Sequence, residues 1–156
     1  MERISIYKVK YITEIISYPS KEFDKYKVKI KNLFKLREPS KTLDYSILDK
    51  FKVLLLKNEI SNVIYGYIIM HDFGSKCNLF IYHMIGNPNY KDVNAPLFFK
   101  FFDYASSNRY VNTMAIFPKE RKWLKYIFKR EGYRKIRFYK NNKKYYVYKK
   151  RIYYVI

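Results

Sequence analysis

The chain has 156 residues, 49 % of them hydrophobic and 21 % aromatic, a content of core formers that excludes intrinsic disorder. Four glycines and five prolines exclude collagen-like and linker-type chains, and one cysteine, Cys77, excludes a disulfide framework and a cysteine-rich zinc site. Its 33 Lys and Arg against 13 Asp and Glu leave a formal charge of +20, which favours polyanionic partners such as nucleic acid, a nucleotide cofactor or anionic lipid. In chain order, Met1 to Ile12 alternates apolar Ile4, Ile6 and Val9 with charged residues and predicts a first strand. Ser20 followed by Glu22 starts a helix with Phe23, Tyr26, Ile30, Leu33 and Phe34 on one face, and Pro39 ends it. Lys41 to Leu48 predicts a short second helix. Phe51 to Leu56 and Asn62 to Phe73 predict a hairpin, and Cys77 to Ile85 a third strand broken by Gly86-Asn87-Pro88-Asn89. Pro96 suits the first turn of a helix running from Leu97 to Ser107, apolar almost all round except at Lys100 and Asp103. Tyr110 to Phe117 predicts a strand. Pro118 to Gly132 predicts a helix with a Trp123, Leu124, Ile127 and Phe128 stripe and Gly132 at its C-terminal cap. Arg134 to Tyr139 and Lys144 to Arg151, joined at Asn141-Asn142, predict a closing hairpin.

No repeat and no Ser/Gly linker divides the chain, so a single domain over residues 1–156 is expected. No apolar stretch reaches the roughly 18 residues of a membrane span, and Met1-Glu2-Arg3-Ile4 lacks a signal-peptide core. These features lead to the expectation of a soluble cytoplasmic protein. The absence of Gln and the abundance of Lys, Ile, Tyr and Asn suit an AT-rich genome, viral or thermophilic.

The order strand, two helices, three strands, helix, strand, helix, two strands resembles the GNAT superfamily of acyl-CoA-dependent N-acetyltransferases over essentially the whole chain. Three stretches carry the resemblance. Tyr65-Gly66-Tyr67-Ile68 resembles the family's strand that opens on an aliphatic-Gly-aromatic step. The strand ending at Ile85 runs through Pro88-Asn89-Tyr90-Lys91 into the helix near Pro96, and Phe128-Lys129-Arg130-Glu131-Gly132-Tyr133 resembles the family's aromatic-x-x-x-Gly-aromatic ending. The resemblance implies a single α/β domain with a mixed, mostly antiparallel sheet flanked by helices. It also implies transfer of an acetyl group from acetyl-CoA, or a related acyl-CoA, to an amine.

Within that resemblance, backbone N–H groups near Met84 and Ile85 hold the thioester oxygen and pantetheine. Lys91, Asp92, Val93, Asn94 and Ala95 occupy the loop that binds the pyrophosphate, where a helix N-terminus favours an anion. Lys91 keeps a cation at the family's Gln/Arg position, but Asn94 and Pro96 stand where the family has glycines, and Pro96 has no N–H. The same residues also suit a plain helix start with no ligand. His83, two residues before the end of its strand, is the candidate general base, with a packed core histidine as the structural alternative. His71 and Asp72 end the preceding strand. Phe128 stands where many family members carry a Tyr that protonates the departing thiolate, and it has no proton to give.

From Lys119 to Arg151 there are fifteen Lys and Arg and only two acids, interleaved with aromatics. Such a segment binds single-stranded nucleic acid by neutralising phosphates and stacking on bases. Simple strand alternation, rings inward and charges outward, produces the same pattern. The alternative function is therefore a catalytically degenerate fold acting as a nucleic-acid or protein-binding module.

Overall fold

A computed structural model describes residues 2–41, 43, 50–72, 78–117, 119 and 121–152. Among them are nine strands and three helices: β1 (Ile4–Ser5), β2 (Ile12–Tyr18), α1 (Lys21–Arg37), β3 (Phe51–Lys57), β4 (Ile64–Asp72), β5 (Asn78–Gly86), β6 (Tyr90–Lys91), α2 (Asn94–Ser107), β7 (Asn112–Phe117), α3 (Lys122–Arg130), β8 (Arg134–Lys140) and β9 (Lys143–Arg151). Seven strands form one sheet in the order β2-β3-β4-β5-β7-β9-β8, and β1 and β6 pair in parallel as a separate ribbon. The β2/β3, β3/β4, β7/β9 and β8/β9 ladders are antiparallel, while β5 and β7 are parallel. This is the mixed, mostly antiparallel sheet expected from the sequence. Most of the second helix expected over Lys41 to Leu48, together with Cys77 and Pro118, lies outside the described residues.

The N-terminal strand is the main departure. Only Ile4–Ser5 is extended, because the Ser5 hydroxyl accepts the Tyr7 N–H at 3.3 Å and turns Ile6–Lys8 into a 3₁₀ segment. The first strand of the large sheet is instead Ile12–Tyr18, an edge strand with Ile16 as its one buried residue. An edge strand with so little buried surface carries a weak alternation signal. The helix at Pro96 begins earlier than expected, at Asn94, so that Pro96 lies within the first turn, where its missing N–H costs nothing. The last helix is shorter at its start, opening at Lys122.

The chain divides into two compact units: Met1–His71 with His83–Phe101, and Asp72–Tyr82 with Phe102–Ile156. In the first, Ser20 caps α1 by accepting the Phe23 N–H at 3.0 Å, and the helix lays Phe23, Tyr26, Ile30, Leu33 and Phe34 inward. The buried ammonium of Lys57 on β3 donates to the Tyr26 hydroxyl at 2.6 Å and pairs with Glu14 of β2 at 2.5 Å, which raises its pKa. That pairing ties α1 to two strands. In the second unit, Phe102, Phe117, Phe128, Tyr133 and Tyr148 form the core, with Phe128 packed edge-on to Tyr133 at 4.9 Å and stacked on Tyr148 at 4.8 Å.

Gly66 sets where α2 begins. A Cβ at Gly66 would lie 2.9 Å from Leu97 Cδ1, 2.9 Å from Val93 Cγ1 and 3.1 Å from the Ile85 carbonyl oxygen. Here glycine acts through its missing side chain, letting the start of the helix sit directly on β4. The β3/β4 register also slips between Leu56 and Lys57, leaving Tyr65 out of the ladder. Gly66→Ala is expected to destabilise the fold by about 1–3 kcal/mol through overpacking. Urea unfolding should show a lower midpoint at an unchanged slope.

Candidate active site

The segment between β5 and α2 is held by its own hydrogen bonds. The Asn87 N–H donates to the Tyr65 carbonyl at 2.8 Å, and its side-chain amide donates to the Ile64 carbonyl at 3.0 Å. Its Oδ1 accepts the Asn89 N–H at 3.0 Å, and its carbonyl accepts the Tyr90 N–H at 3.1 Å. Asn87-Pro88-Asn89-Tyr90 is thus a turn with proline at its second position, closed by its own first residue. The Tyr90 ring then packs edge-on against Tyr65 at 4.7 Å. The sequence predicts a strand break here and a run through Pro88-Asn89-Tyr90-Lys91 toward the helix, and the Asn-Pro-Asn order is the signal for the side-chain-closed turn that makes it.

Lys91 leaves this turn as an exposed cation whose backbone pairs with Ser5. Asp92 has a φ of 66°, a left-handed conformation, and its carboxylate accepts the Ser5 hydroxyl at 3.0 Å. Val93 is buried against Gly66, and its carbonyl accepts the first helical N–H, that of Leu97. Standing at the cap position, Val93 has no side-chain oxygen to offer Asn94 and Ala95, the first two residues of α2. The Asn94 Oδ1 instead lies beside Gly86, 3.3 Å from where a Cβ would stand. Arg37, which sequence reasoning missed, reaches from the last turn of α1 and donates through Nε to the Gly86 carbonyl at 3.0 Å. Two cations therefore flank this helix start.

β5 supplies His83, Met84 and Ile85. Its ladder with β7 runs over Asn78–Ile81, so the backbone groups of Met84 and Ile85 lie outside that ladder. The His83 ring lies 5.1 Å from Phe34 and 5.7 Å from Tyr67. Burial among these rings lowers its pKa to about 4, with Glu38 opposing and Lys41 reinforcing the shift. Neither the His83 Nε2 nor the Tyr67 hydroxyl, both buried, has a hydrogen-bond partner. Burial also pushes the Tyr67 phenol up, so both groups are neutral at pH 7. Unpaired buried polar atoms are the groups a bound polar ligand or water would satisfy.

The remaining candidates take other roles. The Asp72 carboxylate accepts the Tyr110 hydroxyl at 3.1 Å, and His71 is half-buried at the end of β4. Lys100 and Asp103 form a solvated edge of α2, together with Phe99. Phe128 is fully buried, and the motif around it closes a helix. The Gly132 N–H donates to the Lys129 carbonyl, the Tyr133 N–H donates to the Phe128 carbonyl, Gly132 has a φ of 89°, and the Tyr133 and Phe128 rings touch. These are the two bonds, the left-handed glycine and the apolar contact of a Schellman cap. A tyrosine at position 128 would bring its hydroxyl into a cage of rings.

The fold is that of the GNAT acetyltransferases. A solved GNAT family acetyltransferase from Elizabethkingia anophelis with acetyl-CoA bound is 13 % identical, with 91 % of this chain and 98 % of that chain covered at a TM-score of 0.61. A GNAT family acetyltransferase from Listeria monocytogenes is 11 % identical, covering 97 % of this chain and 100 % of its own at 0.65. An IAA acetyltransferase from Bacillus cereus is 10 % identical, covering 92 % and 100 % at 0.61. These are likenesses of fold. No protein-family model matches the chain, and no curated protein matches it in sequence.

Two outcomes follow from the burial of these groups. His83 in the unfolded chain titrates near 6.5 and in the folded chain near 4, so between these values only the unfolded state takes up the proton. The associated stability is present above pH 6.5 and lost as pH falls through 4, about 3 kcal/mol over the window. Thermal unfolding against pH should show this loss, and His83→Phe should flatten it. Phe128→Tyr should lower stability by about 1–3 kcal/mol, since its hydroxyl would enter an apolar cage; an unchanged urea midpoint would contradict the packing described.

Proposed function

We propose that the protein is an acyl-CoA-dependent N-acyltransferase that moves an acetyl group from acetyl-CoA to an amine. The observation that carries this reading is the fixed turn at Asn87–Tyr90, which delivers the chain to a helix start whose cap residue, Val93, has no side-chain acceptor for the first N–H groups. Lys91 and Arg37 stand beside it. A diphosphate suits this arrangement: the helix dipole and free N–H groups attract an anion, and the two side chains add full charges. Asp92 opposes it in part, but its carboxylate is held by the Ser5 hydroxyl.

Acetyl-CoA supplies an acyl group as a thioester, already activated toward an amine. The chain's own residues then position and deprotonate. Met84 and Ile85 lie past the end of the β7 ladder, so the N–H on that side of β5 is the strand donor suited to an extended amide or a carbonyl oxygen. Neutral His83, with Nε2 unpaired, accepts a proton from the incoming ammonium directly or through a water. Its low pKa keeps it available as a base across the neutral range. Phe128 provides no acid, so the thiolate departs on its own low basicity.

Binding and catalysis are tested separately. Acetyl-CoA at a hundredfold excess over its Kd should stabilise the native state by about 2.7 kcal/mol, a rise in Tm of roughly 5–10 °C. Lys91→Ala should reduce that rise. No shift at millimolar acetyl-CoA would remove the enzyme reading. If His83 is the base, the acid limb of kcat/KM should fall near pH 4 and disappear in His83→Ala. A limb near 6.5 that survives the substitution would retire the assignment.

A further inference from the structure

The β9 strand and its two neighbours present two faces, which the register separates. Directly opposed residues share a face, so Arg134, Ile136, Phe138 and Lys140 of β8 lie with Lys149, Val147, Tyr145 and Lys143 of β9. Met114 and Asn112 of β7 continue that face opposite Lys149 and Arg151, and Phe80 and Asn78 of β5 follow opposite Met114 and Asn112. The second face carries Tyr148 and Thr113, and it is the one that α3 and Tyr133 cover, through the Phe128–Tyr148 stack and the Thr113–Tyr133 hydrogen bond of 2.6 Å. Among the described residues the first face keeps its five cations exposed and Ile136 42 % exposed, with Val147 buried between its neighbours. Between Arg134 and Arg151 the chain holds no Asp or Glu.

A pocket of about 430 Å³ opens on this face, within the usual range for small-molecule sites. Phe80 and Met114 line it, with Arg134, Lys149 and Arg151 around it. On its wall Asn112 donates through Nδ2 to the Asn78 Oδ1 at 2.9 Å, which leaves an amide donor on Asn78 and an amide acceptor on Asn112. Further along, the Phe138 and Tyr145 rings lie 5.5 Å apart at 32°. Lys140 and Lys143 close the far end, beside the Asn141–Asn142 turn.

We infer that this face binds single-stranded nucleic acid, one base entering the pocket against Phe80 and Met114, with backbone phosphates along Arg134, Lys149, Arg151, Lys140 and Lys143. The pocket has the dimensions and the mixed donor and acceptor of a nucleobase site. The cations run on beyond it for the length of β9, about 27 Å at the rise of an antiparallel strand, farther than a mononucleotide reaches. The Phe138–Tyr145 pair offers a stacking platform on the way. A base held in a pocket is unstacked, which selects a single strand over a duplex.

Fluorescence anisotropy of a labelled oligothymidylate of about 12 nucleotides tests this. The slope of log affinity against log salt should be about −3.5 for five phosphates neutralised. Arg134→Glu with Lys149→Glu should weaken binding tenfold or more, whereas the same charge change at Lys27 and Lys31 on α1 should weaken it less than threefold. Tyr145→Ala, which alters no charge, should cost about fivefold or more, and Tyr145→Leu, which keeps the apolar bulk, should cost as much. Adenosine monophosphate should be indifferent to Lys140→Glu with Lys143→Glu, while the oligonucleotide loses affinity. Equal weakening by the α1 reversals, or no effect of either Tyr145 change, would show ion exchange by net charge and overturn the proposal. One-for-one displacement of the oligonucleotide by acetyl-CoA would overturn it as well, by giving the pocket to the cofactor's nucleotide.

Discussion

The approach of α2 to β4 at Gly66 is the contact on which the candidate site depends. Val93 and Leu97 occupy the space that a side chain at residue 66 would take, and the Ile85 carbonyl lies at the same spot. One missing Cβ therefore fixes three things together: the depth of the helix start, the end of β5, and the loop between them. Asn87 secures that loop from the other side, through the carbonyls of Ile64 and Tyr65, the first two residues of β4. Van der Waals packing sets the geometry, and electrostatics then uses it.

The second unit shows how a motif carried over from a resemblance can have an entirely structural basis. Phe128, Gly132 and Tyr133 satisfy the last carbonyls of α3 and bring two rings into contact. Any helix that must stop sharply and return to a sheet gains from the same spacing. What varies is the residue at the first aromatic position. Here it is a phenylalanine surrounded by Phe102, Phe117, Tyr133 and Tyr148, and its role is complete without chemistry.

Much of the fold was legible because its elements carry strong local signals. The α1 stripe, its Ser20 cap, the Asn141–Asn142 hairpin and the Gly132 stop are each set within a few residues, and each lies where the sequence puts it. β2 was not legible: an edge strand with one buried side chain has almost no period to read. The start of α2 was misplaced because proline is tolerated throughout a first turn, so Pro96 marks the turn without marking its first residue. In the candidate site, His83 and Lys91 were visible by position, whereas Arg37 and Tyr67 come from distant parts of the chain. Tertiary approach alone brings Arg37 to the Gly86 carbonyl, and no spacing in the sequence encodes it. The tail was legible as cationic, aromatic and alternating, but not which of its residues are buried. Alternation suggested buried rings, yet Val147 and Tyr148 are the buried members of the pair of strands, and Tyr139 is 69 % exposed.

Among the described residues β8 ends the sheet with one side of its backbone unpaired, and such an edge is a template for pairing with another chain. Arg134, Lys135, Arg137 and Lys140 crowd four like charges into its seven residues. Two molecules approaching edge to edge would have to bring these charges together at a strand spacing of about 4.8 Å. The same charges thus oppose edge-to-edge pairing and favour anions, and the two effects are linked. A polyanion bound along this edge would lift the repulsion that guards it, so self-association would then depend on the stoichiometry of such a complex.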